Sequence, residues 1–149
     1  MKLNREELKH ILNTLTDTTP ALFGKLKPQE MIEHVTVTFQ TSSDQIHWPL
    51  PQDEEKAHAA KQFILYTDSV MPEGLKSITI GESAPPLIHS TLQAAIEKLY
   101  TEIDIFHAYY TNHPHAKVSH PRMGELTYAE WVVLHGKHLT HHFKQFSLL

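Results

Sequence analysis

Apolar residues recur at helical spacing in five stretches of the chain. In the first, Leu8, Ile11, Leu12 and Leu15 follow Asn4, a capping residue type, with Glu6 and Glu7 in the opening turn, where negative charge suits the helix dipole. A connection punctuated by Pro20 and Gly24 leads to Pro28, which suits the first position of a second helix because its missing N–H needs no partner there. Met31, His34, Val35, Thr38 and Phe39 share one side of that helix. The β-branched run Val35 to Thr38 argues for a strand instead, and the capping and spacing decide for helix. Ser42 to Asp53, with Pro49 and Pro51 around Leu50, reads as an irregular loop. A third helix is expected from Asp53 to about Thr67, presenting Ala57, Ala60, Phe63 and Ile64.

Met71 to Pro86 reads as a long connection, with Ser77-Ile78-Thr79-Ile80 as a short extended piece. The clearest period belongs to the fourth helix: Leu87, Ile88, Leu92, Ala95, Ile96, Leu99, Ile103, Phe106 and Tyr110. Asn112 to Gly124 is expected to be loop. Thr127 and Glu130 then form a capping box that opens a last helix running to about Phe146. The expected fold is all-α, a four-helix bundle with an extra short helix and long connecting loops, in a single domain spanning 1–149.

Composition narrows the function. The net charge of −4 and the absence of any Lys/Arg-rich run argue against a nucleic-acid partner. With no cysteine, disulfides, thiolate nucleophiles and Cys-ligated zinc are excluded. No apolar run approaches the roughly 20 residues of a membrane helix. The opening Met-Lys-Leu-Asn-Arg-Glu-Glu lacks an apolar signal core, so the expected location is cytoplasmic, away from membranes.

The chain holds 13 histidines, scattered rather than consecutive, so their positions carry the information. On the last helix Trp131, His135, His138, His142 and Gln145 fall in a stripe roughly 80° wide at about 100° per residue. Val132, Leu139, Phe143 and Phe146 flank the stripe on one side and Leu134 on the other, so it faces inward. Buried imidazoles need partners, and a cation would satisfy them. His138 and His142 are four apart and can reach one ion. Their spacing is that of the HExxH zinc motif, whose glutamate is missing because position 139 is Leu. His135 and His141 offer rival pairings. His34, on the apolar side of the second helix, is the best third ligand. Three imidazoles suit zinc, nickel, iron or manganese without choosing among them; zinc or nickel is the expected ion. His135, Gln145 and Glu33 are candidates for contacts to the metal ligands or to substrate, although a structural role is the expected one for two of them, His135 packing or hydrogen-bonding in the core and Glu33 pointing to the side. His10, His47, His58, His113, His115 and His120 read as loop or surface residues, His89 and His107 as fourth-helix residues without a role in the site, Glu102 and Asp104 as solvated charge, and Trp48 as part of a small satellite cluster.

Two segments carry a family resemblance. His138-Leu139-Thr140-His141-His142-Phe143-Lys144-Gln145 resembles the H-x-x-x-H-x-x-Q motif of the DinB-like (YfiT-like) superfamily, and Met31-Ile32-Glu33-His34-Val35 resembles its histidine-bearing second helix. The run from His120-Pro121 through Gly124, Leu126-Thr127 and Glu130-Trp131 to His135 and Lys137-His138 is similar to a bacterial subgroup ending in LH.KH..HH..QF. Phe23-Gly24-Lys25-Leu26-Lys27-Pro28-Gln29-Glu30-Met31 resembles that subgroup's other signature. The resemblance covers both ends of the chain and fades between Gln40 and Pro86. It implies a four-helix bundle, often a homodimer, that holds a divalent metal with His34, His138 and His142. It also implies a small-molecule substrate, with low-molecular-weight thiols as cofactors of some members.

The expectation is therefore a metal-dependent enzyme of the transferase, isomerase or hydrolase kind, in which the metal lowers the pKa of water or a thiol. No further acid or base is matched to the family. The alternative is a non-catalytic metal-binding, dimerisation or partner-binding helical domain.

Overall fold

The computed structural model describes residues 1–73 and 83–149. The expected extended piece at residues 77–80 lies outside the described residues. The remainder is mostly helical: α1 (Arg5–Leu12), α2 (Pro28–Ser42), α3 (Glu54–Leu65), α4 (Leu92–Asn112) and α5 (Tyr128–Gln145), with a small hairpin, β1 (Val118–His120) and β2 (Gly124–Leu126), before α5.

Helix starts follow side-chain chemistry. Asn4, Asp53, Thr91 and Thr127 each accept a hydrogen bond from the backbone N–H three residues on, satisfying a donor that the helix leaves unpaired. Pro28 opens α2, and Glu30 reaches back to the Lys27 N–H. At Thr127 the box closes both ways, because Glu130 accepts from the Thr127 N–H.

One contiguous apolar cluster joins the elements. Met31, Ile32, Val35 and Phe39 of α2 meet Leu99, Ile103 and Phe106 of α4, and Leu134, Leu139 and Phe143 of α5 close over them. Burying such side chains stabilises the fold by about 1.5–3 kcal/mol each. α1 packs on α4, and α3 on α5 and β2.

Five expectations need correction. The fourth helix begins at Leu92 rather than Leu87: Leu87 and Ile88 precede the Thr91 cap and are exposed. The segment 112–124 is not all loop. Val118, Ser119 and His120 pair antiparallel with Leu126, Glu125 and Gly124, and the Trp131 indole N–H donates to the Val118 carbonyl. His120 is no surface residue, since its Nδ1 accepts the Arg122 and Met123 N–H groups and thereby caps the hairpin turn. Burial lowers that ring to about 4, helped by nearby Arg122, and keeps it neutral. Glu102 is not solvated, for its side chain is fully buried. Burial alone would raise its pKa, yet hydrogen bonds from Lys98, Gln45 and Gln40 hold it below the usual carboxylate range. On α3, Phe63 faces solvent while Leu65 is buried.

Candidate metal centre

The inward stripe of α5 exists as a buried surface: Trp131, His135, His138, His142 and Gln145 are each under 10% exposed. One turn separates His138 from His142, so their rings stand one above the other, and α2 lays His34 across them. The His138 Nε2 lies 2.9 Å from the His34 Nε2 and 3.1 Å from the His142 Nε2. Among the described residues, His34, His138 and His142 are the one group of histidine or carboxylate side chains close enough to hold a single ion.

The neutral ring is the form that ligates metals, and burial enforces it. Burial lowers His34 to about 3, with the His142 and His141 rings adding to the shift. It lowers His142 to about 4, against the hydrogen bond that its Nδ1–H donates to Gln145, which pulls the other way. His138 is pushed well below the ordinary imidazole value by burial first and the surrounding histidines second.

Hydrogen bonding also fixes which nitrogen of His142 faces the cluster. The Gln145 Nε2 donates to the Phe23 carbonyl at 2.8 Å, so its Oε1 is left facing the His142 Nδ1, also at 2.8 Å. The acceptor there requires Nδ1 to carry the proton, and the Nε2 lone pair points at His34 and His138. A proton on the His138 Nε2 would have to serve two acceptors at once, whereas a divalent cation takes a lone pair from each of three rings. Tetrahedral zinc–imidazole bonds of about 2.0–2.1 Å put neighbouring nitrogens about 3.3 Å apart. The two separations from the His138 Nε2 lie within a few tenths of an ångström of this spacing, and all three donor atoms lie within 4.8 Å of one another, so the donor set is compact enough to close on one ion.

The other candidates have different roles. The His135 Nε2 meets the Ser42 Oγ at 2.8 Å, and its ring is sandwiched in the core, so it stands outside the cluster. His141 tilts against Phe23 and meets the His142 ring edge-on, but it does not belong to the group whose nitrogens could share one ion. Glu33 turns sideways: its carboxylate accepts the Ile88 and His89 N–H groups and the Gln29 amide, pinning the segment before α4 onto α2. Burial alone would raise Glu33, but these bonds hold it below its ordinary value. Gln145 alone of the three touches a cluster histidine. Sequence reasoning placed Phe23 and Gly24 in a signature but missed their contact with Gln145, whose Nε2 donates to the Phe23 carbonyl and passes close to Gly24. Gly24 has φ +73°, and a Cβ there would sit 2.7 Å from the Gln145 Nε2.

Beside His34 lies a cleft of about 60 Å³, lined by Leu26, Val37, Pro85, Pro86 and Ile88, with Glu30 and Glu33 at its wall. No helix of the described residues is long and apolar enough to cross a membrane. Comparison of the chain with protein-family models, with curated proteins and with solved structures finds no match.

Proposed function

We propose that the protein is a metal-dependent enzyme of the DinB-like superfamily, with His34, His138 and His142 holding a divalent transition metal, zinc or nickel foremost, that acts on a small molecule. In this reading α2, α3, α4 and α5 are the four helices of the bundle, α1 is the extra short helix, and the chain works in the cytoplasm as a homodimer. The single observation that carries the reading is the meeting of three imidazoles through Nε2, His138 and His142 buried and His34 half-buried, with no carboxylate among them.

A bound cation would supply Lewis-acid chemistry with room for an exogenous ligand, since three protein donors leave a position open. The chain's own residues do the rest. Gln145 orients His142. Glu33 holds the cleft wall in place by binding the backbone at Ile88 and His89. Leu26, Val37 and Ile88 give the cleft apolar walls on the His34 side. The apolar cleft favours an uncharged substrate group, and a low-molecular-weight thiol is a compatible second partner. The net negative charge favours neither nucleic acid nor an anionic surface.

Cobalt substitution tests the open position. Co(II)-loaded protein should show the visible absorption of a four- or five-coordinate site that changes on titration with azide or a simple alkyl thiol. An invariant spectrum would contradict an exchangeable position and would favour a closed, non-catalytic site.

A further inference from the structure

The connection between α1 and α2 returns to the far end of α5 and is strapped there by one residue. The Leu22 N–H donates to the Gln145 main-chain carbonyl at 2.8 Å. The Gln145 side-chain Nε2 donates to the Phe23 carbonyl at 2.8 Å, and its Oε1 accepts from the His142 Nδ1 at 2.8 Å. The Phe23 ring lies 5.3 Å from the His141 ring. At Gly24 the positive φ and the missing Cβ let the backbone pass the amide nitrogen.

Both polar ends of a single buried amide are thus committed in opposite directions. Turning the amide over would set its Nε2 against an N–H and its Oε1 against a carbonyl, so the two hydrogen bonds form together or fail together. A cation on the His142 Nε2 draws electron density through the ring and makes its Nδ1–H a stronger donor. The amide that accepts this bond becomes more polarised, and its own N–H donates more strongly to Phe23.

We propose that Gln145 is a positioning residue that couples the Leu22–Gly24 strap to the metal centre, so that metal binding and strap docking reinforce each other. This rests on the reading of His34, His138 and His142 as metal ligands. Because binding linkage is reciprocal, lifting the strap weakens the metal and removing the metal loosens the strap for as long as the Gln145 amide joins the two.

The test measures zinc affinity by competition with a chelating dye, and hydrogen exchange at the Leu22 amide with and without zinc. In the wild type, zinc should slow Leu22 exchange. Gln145→Ala should bind zinc roughly ten- to hundred-fold more weakly and lose that slowing. Gln145→Glu keeps an acceptor for His142 but has no donor for Phe23. It should recover zinc affinity while Leu22 still exchanges fast, a separation that simple misfolding does not produce. Wild-type zinc binding with an unresponsive Leu22 amide, or unchanged affinity in Gln145→Ala, would overturn the coupling alone. No zinc binding by the wild type would overturn the metal reading and the coupling with it.

Discussion

The His135 ring lies flat on Phe39, with centroids 3.8 Å apart and planes 5° from parallel. Phe106 meets the same ring edge-on and Trp131 stacks beyond it. Its Nε2 pairs with the Ser42 Oγ, and its Nδ1 has no hydrogen-bond partner among the described residues. Although His135 is one turn from His138, it behaves as an aromatic core residue.

His135→Phe should therefore preserve metal content and shift stability by less than about 1.5 kcal/mol. The stacking volume is nearly kept, and the lost Ser42 contact is offset by removing an unpaired buried nitrogen. Urea denaturation and elemental analysis of the same sample check both statements. A fall in metal content in a well-folded variant would place His135 in the site after all.

Gly24→Ala should destabilise the fold by about 1–3 kcal/mol, because alanine at φ +73° is strained and its Cβ meets the Gln145 amide. The urea midpoint reports the loss. Gly124, also at positive φ (+75°), has open space around it. Gly124→Ala should consequently cost only the backbone strain and leave metal binding unaltered, and equal effects at the two glycines would argue against close packing at Gly24.

Glu130 carries the clearest pH dependence. Burial alone would raise its pKa, but hydrogen bonds from the Tyr66 hydroxyl, Lys61 and the Thr127 N–H lower it to about 2. A carboxyl held below its unfolded value contributes stability that is complete above the unfolded pKa, about 4.3. That contribution disappears as pH falls towards the folded value. Glu130→Gln should cost about 1–2 kcal/mol at pH 7 after allowance for screening near the surface. The difference from wild type should shrink steadily below about pH 4.5. Paired urea titrations down the pH range in which both proteins fold provide the measurement. A difference independent of pH would mean that the charge contributes nothing.

Much of this was legible from sequence because it is local. Asn4, Asp53 and Thr127 cap helices through their own side chains, Pro28 opens α2, and the α5 stripe follows from period alone. The largely helical architecture and the inward placement of His34, His138 and His142 could therefore be read in advance. The start of α4 was misread because Leu87 and Ile88 continue the apolar pattern past the point where Thr91 takes the cap. The hairpin has three residues per strand, too few for alternation to register, and its turn is capped by a histidine ring. Glu102 shares a helical face with Leu99 and Phe106, which hinted at burial, but its partners Gln40 and Gln45 lie about sixty positions away. The same distance in sequence hid the role of Gly24, whose neighbour Gln145 is at the other end of the chain.

The central claim is the three-histidine metal site, and elemental analysis tests it most directly. Untagged protein, purified without chelators and then supplied with zinc or nickel, is compared with His34→Ala, His138→Ala and His142→Ala, with circular dichroism as the folding control. The account predicts close to one transition-metal ion per chain in the native protein and a near-complete loss in each folded variant. Native protein that neither carries nor takes up metal, or variants that keep it, would contradict the account.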